Sequence, residues 1–179
     1  MRPVAPKRLK DALPTPTPAA LIHELSSCVT EADIVQVLYR GLHPLFDYGV
    51  VLLQVLEREG WYHSLAIDLG VLQDLRRRPL AGTVFGGNYK NPRTTVIVND
   101  PKRKEQARGP GAHRMTKLSI WVPVEHRGEV IASVVYQSYR NRRVPPSETA
   151  FLDEVHKRLG VLIANADLNE LTRNQARRL

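Results

Sequence analysis

The chain has a single cysteine, Cys28, so it can close no intramolecular disulfide and assemble no two-cysteine redox or zinc motif. That composition points to a reducing compartment, and the chain is expected to be cytoplasmic. No apolar run approaches the roughly 18 residues of a membrane span, and the basic start leads into prolines instead of a signal-peptide core. Aromatic residues make up only 6% of the sequence. Within its most basic stretch only Phe85 and Tyr89 are aromatic, too few for the interleaved base-stacking platforms of single-stranded nucleic-acid binders. Reaction signatures are also missing. There is no Gly-x-Ser-x-Gly elbow, and Gly82, Gly86 and Gly87 form neither a phosphate loop nor a dinucleotide fingerprint, so they read as turn glycines. The six histidines (His23, His43, His63, His113, His126, His156) never stand four apart or beside the cysteine. No metal, no cofactor and no enzymatic activity are expected.

What is present suits one domain with flanking segments: 179 residues, 42% of them hydrophobic. The net charge of +8 is concentrated between residues 70 and 117, where eleven basic residues face three acidic ones; elsewhere the charges cancel. Any bias toward an anionic ligand, a nucleic acid or an acidic protein surface therefore acts through this segment.

Residues 1–18 carry five prolines and read as a basic, extended tail or linker. Thr17 caps a first helix with Pro18 in its first turn and Leu21, Ile22, Leu25 and Val29 at helical spacing. Thr30 and Asp33 form a capping box for a second, whose stripe runs Ile34, Val37, Leu38, Leu42, Leu45, Phe46 and stops near Asp47. Residues 50–56 and 61–68 read as a hairpin. Residues 71–78 can be read as a short helix, and Ala81-Gly82 and Gly86-Gly87-Asn88 argue for loop. Residues 94–98 form a short strand before a long basic loop. Residues 118–124 and 130–139 make a second hairpin across His126-Arg127-Gly128. Ser147 reads as the N-cap of a last helix with Leu152, Val155, Leu159, Leu162 and Ala166 on one stripe. Beyond Ala166 the apolar residues thin to Leu168, Leu171 and Leu179, which continue a seam suited to a helical homodimer contact. The expected fold is α+β, a central antiparallel five- to six-stranded sheet with N- and C-terminal helices packed on one face. The expected divisions are a tail at 1–18, the domain at 19–168 and a helical extension at 169–179.

The strand-plus-aspartate step Thr94-Thr95-Val96-Ile97-Val98-Asn99-Asp100 resembles that of GAF domains. So does the strand Leu118-Ser119-Ile120-Trp121-Val122-Pro123-Val124. The turn Gly128-Glu129 into Val130-Ile131-Ala132-Ser133-Val134-Val135 is similar to the family's glycine-glutamate turn, with Ala132 where a glycine is usual. Residues 147–166 resemble its closing helix. The likeness spans residues 19–168 and implies a GAF/PAS-like sensory or regulatory module that binds a small molecule or partner and signals through its terminal helices, usually joined to an output domain. The family's ligands sit between the sheet and the crossover loops, here the basic segment 70–117.

Three specialised readings fit poorly. The Asn-Lys…Phe…Asp-Glu pattern of the cyclic-nucleotide subgroup is missing, the crossover holds no cysteine for a bilin, and one cysteine is too few for the methionine-sulfoxide-reducing members. The expected ligand-binding residues are Trp61, His63, Asn99, Asp100, His113, Arg114, Trp121 and Tyr136. His113 and Arg114 offer a carboxylate or phosphate a switchable donor and a forked one, unless they are a solvated loop end, and some family members bind haem through such a histidine. Both tryptophans can equally be packing residues. Cys28, near the end of an amphipathic helix, reads as an inert thiol. The second reading is an adaptor that grips nucleic acid or an acidic protein through Arg76, Arg77, Arg78, Lys102, Arg103 and Lys104.

Overall fold

The computed structural model describes residues 16–98 and 116–176. Thr17 accepts a hydrogen bond from the Ala20 amide, Pro18 occupies the first helical turn, and α1 (Pro18–Leu25) buries Leu21 and Leu25. The Thr30–Asp33 capping box closes on both sides and opens α2 (Glu31–Phe46), which ends on Asp47 in the left-handed conformation. Its buried stripe is Ile34, Val35, Val37, Leu38 and Leu42.

The strands follow by hairpins: β1 (Val50–Leu56), a 3-10 turn (Arg58–Gly60), β2 (Trp61–Asp68) and β3 (Val71–Pro79). Residues 71–78 are thus strand and not helix. Leu69 and Gly70 both take positive φ (47° and 87°), the geometry of a two-residue hairpin turn, so the chain reverses at once and pairs β3 with β2 along its length. That turn overrides the local apolar spacing. Gly86-Gly87-Asn88, which argued for loop, falls within the short helix α3 (Val84–Lys90), capped by the Thr83 hydroxyl on the Gly86 amide. Then come β4 (Thr95–Val98), β5 (Leu118–His126) and β6 (Glu129–Ser138), the last two joined at Arg127 and Gly128 with positive φ. The closing helix α4 (Pro146–Ala176) starts on Pro146, one residue before the expected cap Ser147, and its 31 residues extend about 46 Å at the α-helical rise.

The sheet is antiparallel with strand order β3-β2-β1-β6-β5-β4. Alternation splits its side chains between two faces. Val51, Leu53, Val55, Ile67, Ile120, Val122, Val124, Ala132, Val134 and Tyr136 share one core with α1, α2 and the Leu152, Val155, Leu159 and Ile163 stripe of α4. Leu52, Ala66 and Val135, with Leu75 and Trp121 packed on them, form a smaller cluster on the opposite face. Beyond Ala166 no residue of α4 is buried among those described, and Leu168 is 61% exposed, in keeping with the thinning apolar pattern.

Candidate functional site

Strand register arranges the second sheet face into three rows. Ser64, Gln54 and Ser133 lie side by side across β2, β1 and β6. The next row is Ala66, Leu52, Val135 and Trp121, and the third places Val50, Gln137 and Ser119 together. An apolar midline is thus flanked by two hydrogen-bonding rows. Gln54, Ser64, Ser119 and Ser133 are all buried, Gln54 at 5% and Ser133 at 1% exposure. Gln137 donates its amide nitrogen to the Ser119 hydroxyl at 3.1 Å. Yet Gln54 Oε1, Ser133 Oγ and Gln137 Oε1 find no hydrogen-bond partner among the described residues. Buried polar atoms are nearly always paired, so three unpaired ones on one face single it out as the candidate site. At one end of this face Phe85 of α3 meets the Tyr62 ring edge-on, at a centroid distance of 5.3 Å.

The residues expected at the site fall on different parts of the fold. Trp121 lies on the second face, in its apolar row. Tyr136 points the other way, fully buried among the helices, with its hydroxyl 2.7 Å from His156 Nε2. Burial pushes the His156 ring down to about 3, the Pro123 carbonyl offsetting part of that, so the ring stays neutral. His63 is also on the helical side, with Nε2 2.7 Å from Glu31 and Nδ1 3.1 Å from Glu57. Trp61 shares that face and is capped by the Arg77 guanidinium, which also pairs with Glu57. Trp121 is therefore separated by the sheet from Trp61, His63 and Tyr136. Asn99, Asp100, His113 and Arg114 lie outside the described residues, as do Lys102, Arg103 and Lys104. Gln54, Ser133 and Gln137 were missed in the sequence. Their only signal there is a polar residue at alternate positions of otherwise apolar strands.

The Glu31–His63–Glu57–Arg77 chain ties the start of α2 to the β1–β2 hairpin. The Glu31 hydrogen bond is the main reason the His63 ring is pushed up to about 9, against the opposing effect of its partial burial. A folded value above the unfolded 6.5 means that this stabilisation is complete below pH 6.5 and lost as pH rises through about 9. His63→Gln is accordingly expected to cost about 2 kcal/mol at pH 6 and much less at pH 10, read from denaturant unfolding at both values. An equal cost at both would show that the ring carries no charge in the fold.

No protein-family model and no curated protein matches the chain. Solved structures do. The GAF domain of a phosphoenolpyruvate-protein phosphotransferase from Acinetobacter superposes with a TM-score of 0.69 at 19% identity, over 84% of this chain and 92% of that one. The GAF domain of a two-component sensor histidine kinase from Bacillus halodurans gives 0.65 at 15% identity, over 79% and 98%. The fold is that of a GAF domain. The same fold is shared by the free methionine-R-sulfoxide reductase of Neisseria meningitidis, solved with its substrate (TM-score 0.62, 14% identity, 85% and 89% covered). A GAF fold alone thus fixes neither ligand nor chemistry. Among the described residues no helix is long and apolar enough to cross a membrane, and no cluster of three potential metal ligands occurs.

Proposed function

We propose that this GAF domain is a non-catalytic regulatory module that receives a small molecule on the second sheet face and passes its occupancy to a partner or output domain through its terminal helices. The observation that carries the reading is the trio of buried, unpartnered polar atoms on Gln54, Ser133 and Gln137, gathered around an apolar row that includes Trp121. The GAF neighbours from a phosphotransferase and a sensor kinase support a regulatory role.

Transmission has a physical route. β1 and β6 carry ligand-facing and helix-facing residues in alternation, so Gln54 and Ser133 are chain neighbours of Val55 and Val134 in the helical core. A ligand that favours one setting of these strands shifts how α1, α2 and α4 pack; one that favours neither setting transmits nothing. The exposed Leu168, seven residues beyond the exposed Val161 on α4, supports pairing of that helix across a homodimer. Cys28 fits no reductase role. It sits just beyond α1, and its thiol is pushed up by burial and by the neighbouring Asp33 and Glu24 carboxylates, which disfavours the nucleophilic thiolate. Cys28→Ser is expected to leave both ligand response and stability within about 1 kcal/mol of the parent, measured by thermal unfolding.

Native mass spectrometry of the purified protein reports a co-purifying ligand and the oligomeric state together. The expected result is a dimer that carries, or takes up, a small molecule. A monomer with no ligand after exposure to a low-mass cell filtrate contradicts the reading.

A further inference from the structure

The three orphaned atoms also specify what they would bind. Two are carboxamide oxygens, which only accept hydrogen bonds, and the third is a hydroxyl, which donates or accepts. A bare anion has no hydrogen to offer Gln54 Oε1 or Gln137 Oε1, and would bring its charge against two partial negative ones. Among the described residues no charged side chain stands in the Ser64–Gln54–Ser133 row or in the apolar row, and Asp68 stands in the third row opposite Val50. Asp68 is held there by the Tyr139 hydroxyl at 2.7 Å, and Arg78, paired with Tyr62, is exposed. Among the described residues an ion at the centre would find no counter-charge to offset its lost hydration, whereas an uncharged N–H group loses little and gains a bond. The apolar row of Ala66, Leu52, Val135 and Trp121 lies between the polar rows, with Ala66, Leu52 and Val135 buried, so a group seated against it must be apolar on its face and polar at its edges. Ser133 and Gln137 are four residues apart on β6, about 13 Å along an antiparallel strand, which accommodates a single small ring system with hydrogen-bonding groups on opposite edges.

We infer that the ligand is an uncharged, flat molecule with N–H donors on opposite edges, of the amide, lactam or urea class, lying on the Leu52–Trp121 row with its N–H groups on Gln54 and Gln137. This rests on the second face being the ligand site, and it differs from the anion expected from the basic segment 70–117.

The test compares matched amide and carboxylate probes, benzamide with benzoate and nicotinamide with nicotinate, together with the two-edged lactam uracil. Thermal unfolding of the full chain is followed at millimolar probe concentration. Uracil, with N–H groups on two edges, is expected to raise the Tm most, the one-edged amides to raise it less, and the carboxylates to give no shift. Gln54→Met, close in shape but without the orphaned oxygen, is expected to raise the Tm of the ligand-free protein and to abolish the probe shift. The first effect arises because removing an unpaired buried polar atom relieves its desolvation cost. A structural Gln54 moves the other way, lowering the Tm on substitution. A carboxylate shift equal to or larger than that of its amide, and lost in Gln54→Met, overturns the ligand class while leaving the second face as the site. No shift from any probe, or a Gln54→Met variant less stable than the parent, overturns the inference and points to water as the partner of these atoms; whether the domain binds anything else is then read from the native mass spectrum.

Discussion

Gly160→Ala is expected to destabilise the protein by about 2 to 4 kcal/mol and lower its Tm by about 5 to 12 °C, although alanine is the better helix former. Gly160 lies mid-way along α4, where the helix crosses β5. A Cβ added there would stand 2.0 Å from the Glu125 carbonyl oxygen and 2.9 Å from its carbon, contacts with backbone that no side-chain rotation can relieve. Glu125 lies where the β5–β6 register slips, at an irregularity of the strand pair. Helix propensity alone would raise stability by about 1 kcal/mol. The sign of the change in a urea titration therefore decides between the two: a stabilised Gly160→Ala would mean that α4 does not approach β5 this closely. Under the proposed function the residue also bears on signalling, because α4 is the helix through which the sheet would report occupancy.

The second large effect is expected at Glu148. Its carboxylate, 1% exposed in the first turn of α4, accepts two hydrogen bonds from Arg142 (2.6 and 2.7 Å) and one from the Tyr48 hydroxyl. Arg142 also donates to the Phe46 carbonyl at 2.7 Å, and its guanidinium lies over the Tyr48 ring. One carboxylate thus joins the end of α2, the approach to β1 and the start of α4. Glu148→Ala leaves the partly buried Arg142 guanidinium without its counter-charge and is expected to cost about 2 to 4 kcal/mol. Tyr48→Phe, which removes one hydroxyl from the same carboxylate, should cost about 1 kcal/mol. The double change Arg142→Met with Glu148→Leu should recover most of the loss, because an apolar pair of similar volume carries no uncompensated charge. If Glu148→Ala and Tyr48→Phe cost the same in denaturant unfolding, the carboxylate is not the hub of this cluster.

Most of the fold was legible where local chemistry and tertiary structure agree. The Thr17 and Thr30 caps, the stripe of α2 and the turn at Arg127-Gly128 all act within a few residues, and each stands where the sequence puts it. Residues 71–78 misled because their apolar positions, Val71, Leu72 and Leu75, match a helical spacing. Leu69 and Gly70 reverse the chain against β2, and pairing with that strand decides the outcome. The glycines of α3 argued for loop because Gly86 and Gly87 are poor helix formers, yet the Thr83 cap suffices for a helix of two turns.

The candidate site was less legible than the fold. Which face of the sheet a strand residue takes depends on parity relative to its neighbours, information carried by register and absent from composition. Trp61 and Trp121 look equivalent in the sequence, yet one packs beneath Arg77 on the helical side and the other beside Val135 on the opposite face. Gln54 and Ser133 looked incidental in apolar strands. Pairing places them side by side, and burial leaves Gln54 Oε1 and Ser133 Oγ without a partner among the described residues.

That separation of the two tryptophans, the only two in the chain, gives the central claim its most direct test. Trp61→Phe leaves Trp121 as the sole indole, and Trp121→Phe leaves Trp61. Each variant is titrated with the low-mass cell filtrate while tryptophan emission is recorded. If the second sheet face receives the ligand, the emission of Trp121 shifts in wavelength or intensity while that of Trp61 stays constant. A response from Trp61 with Trp121 silent would place the ligand on the helical side and contradict the account.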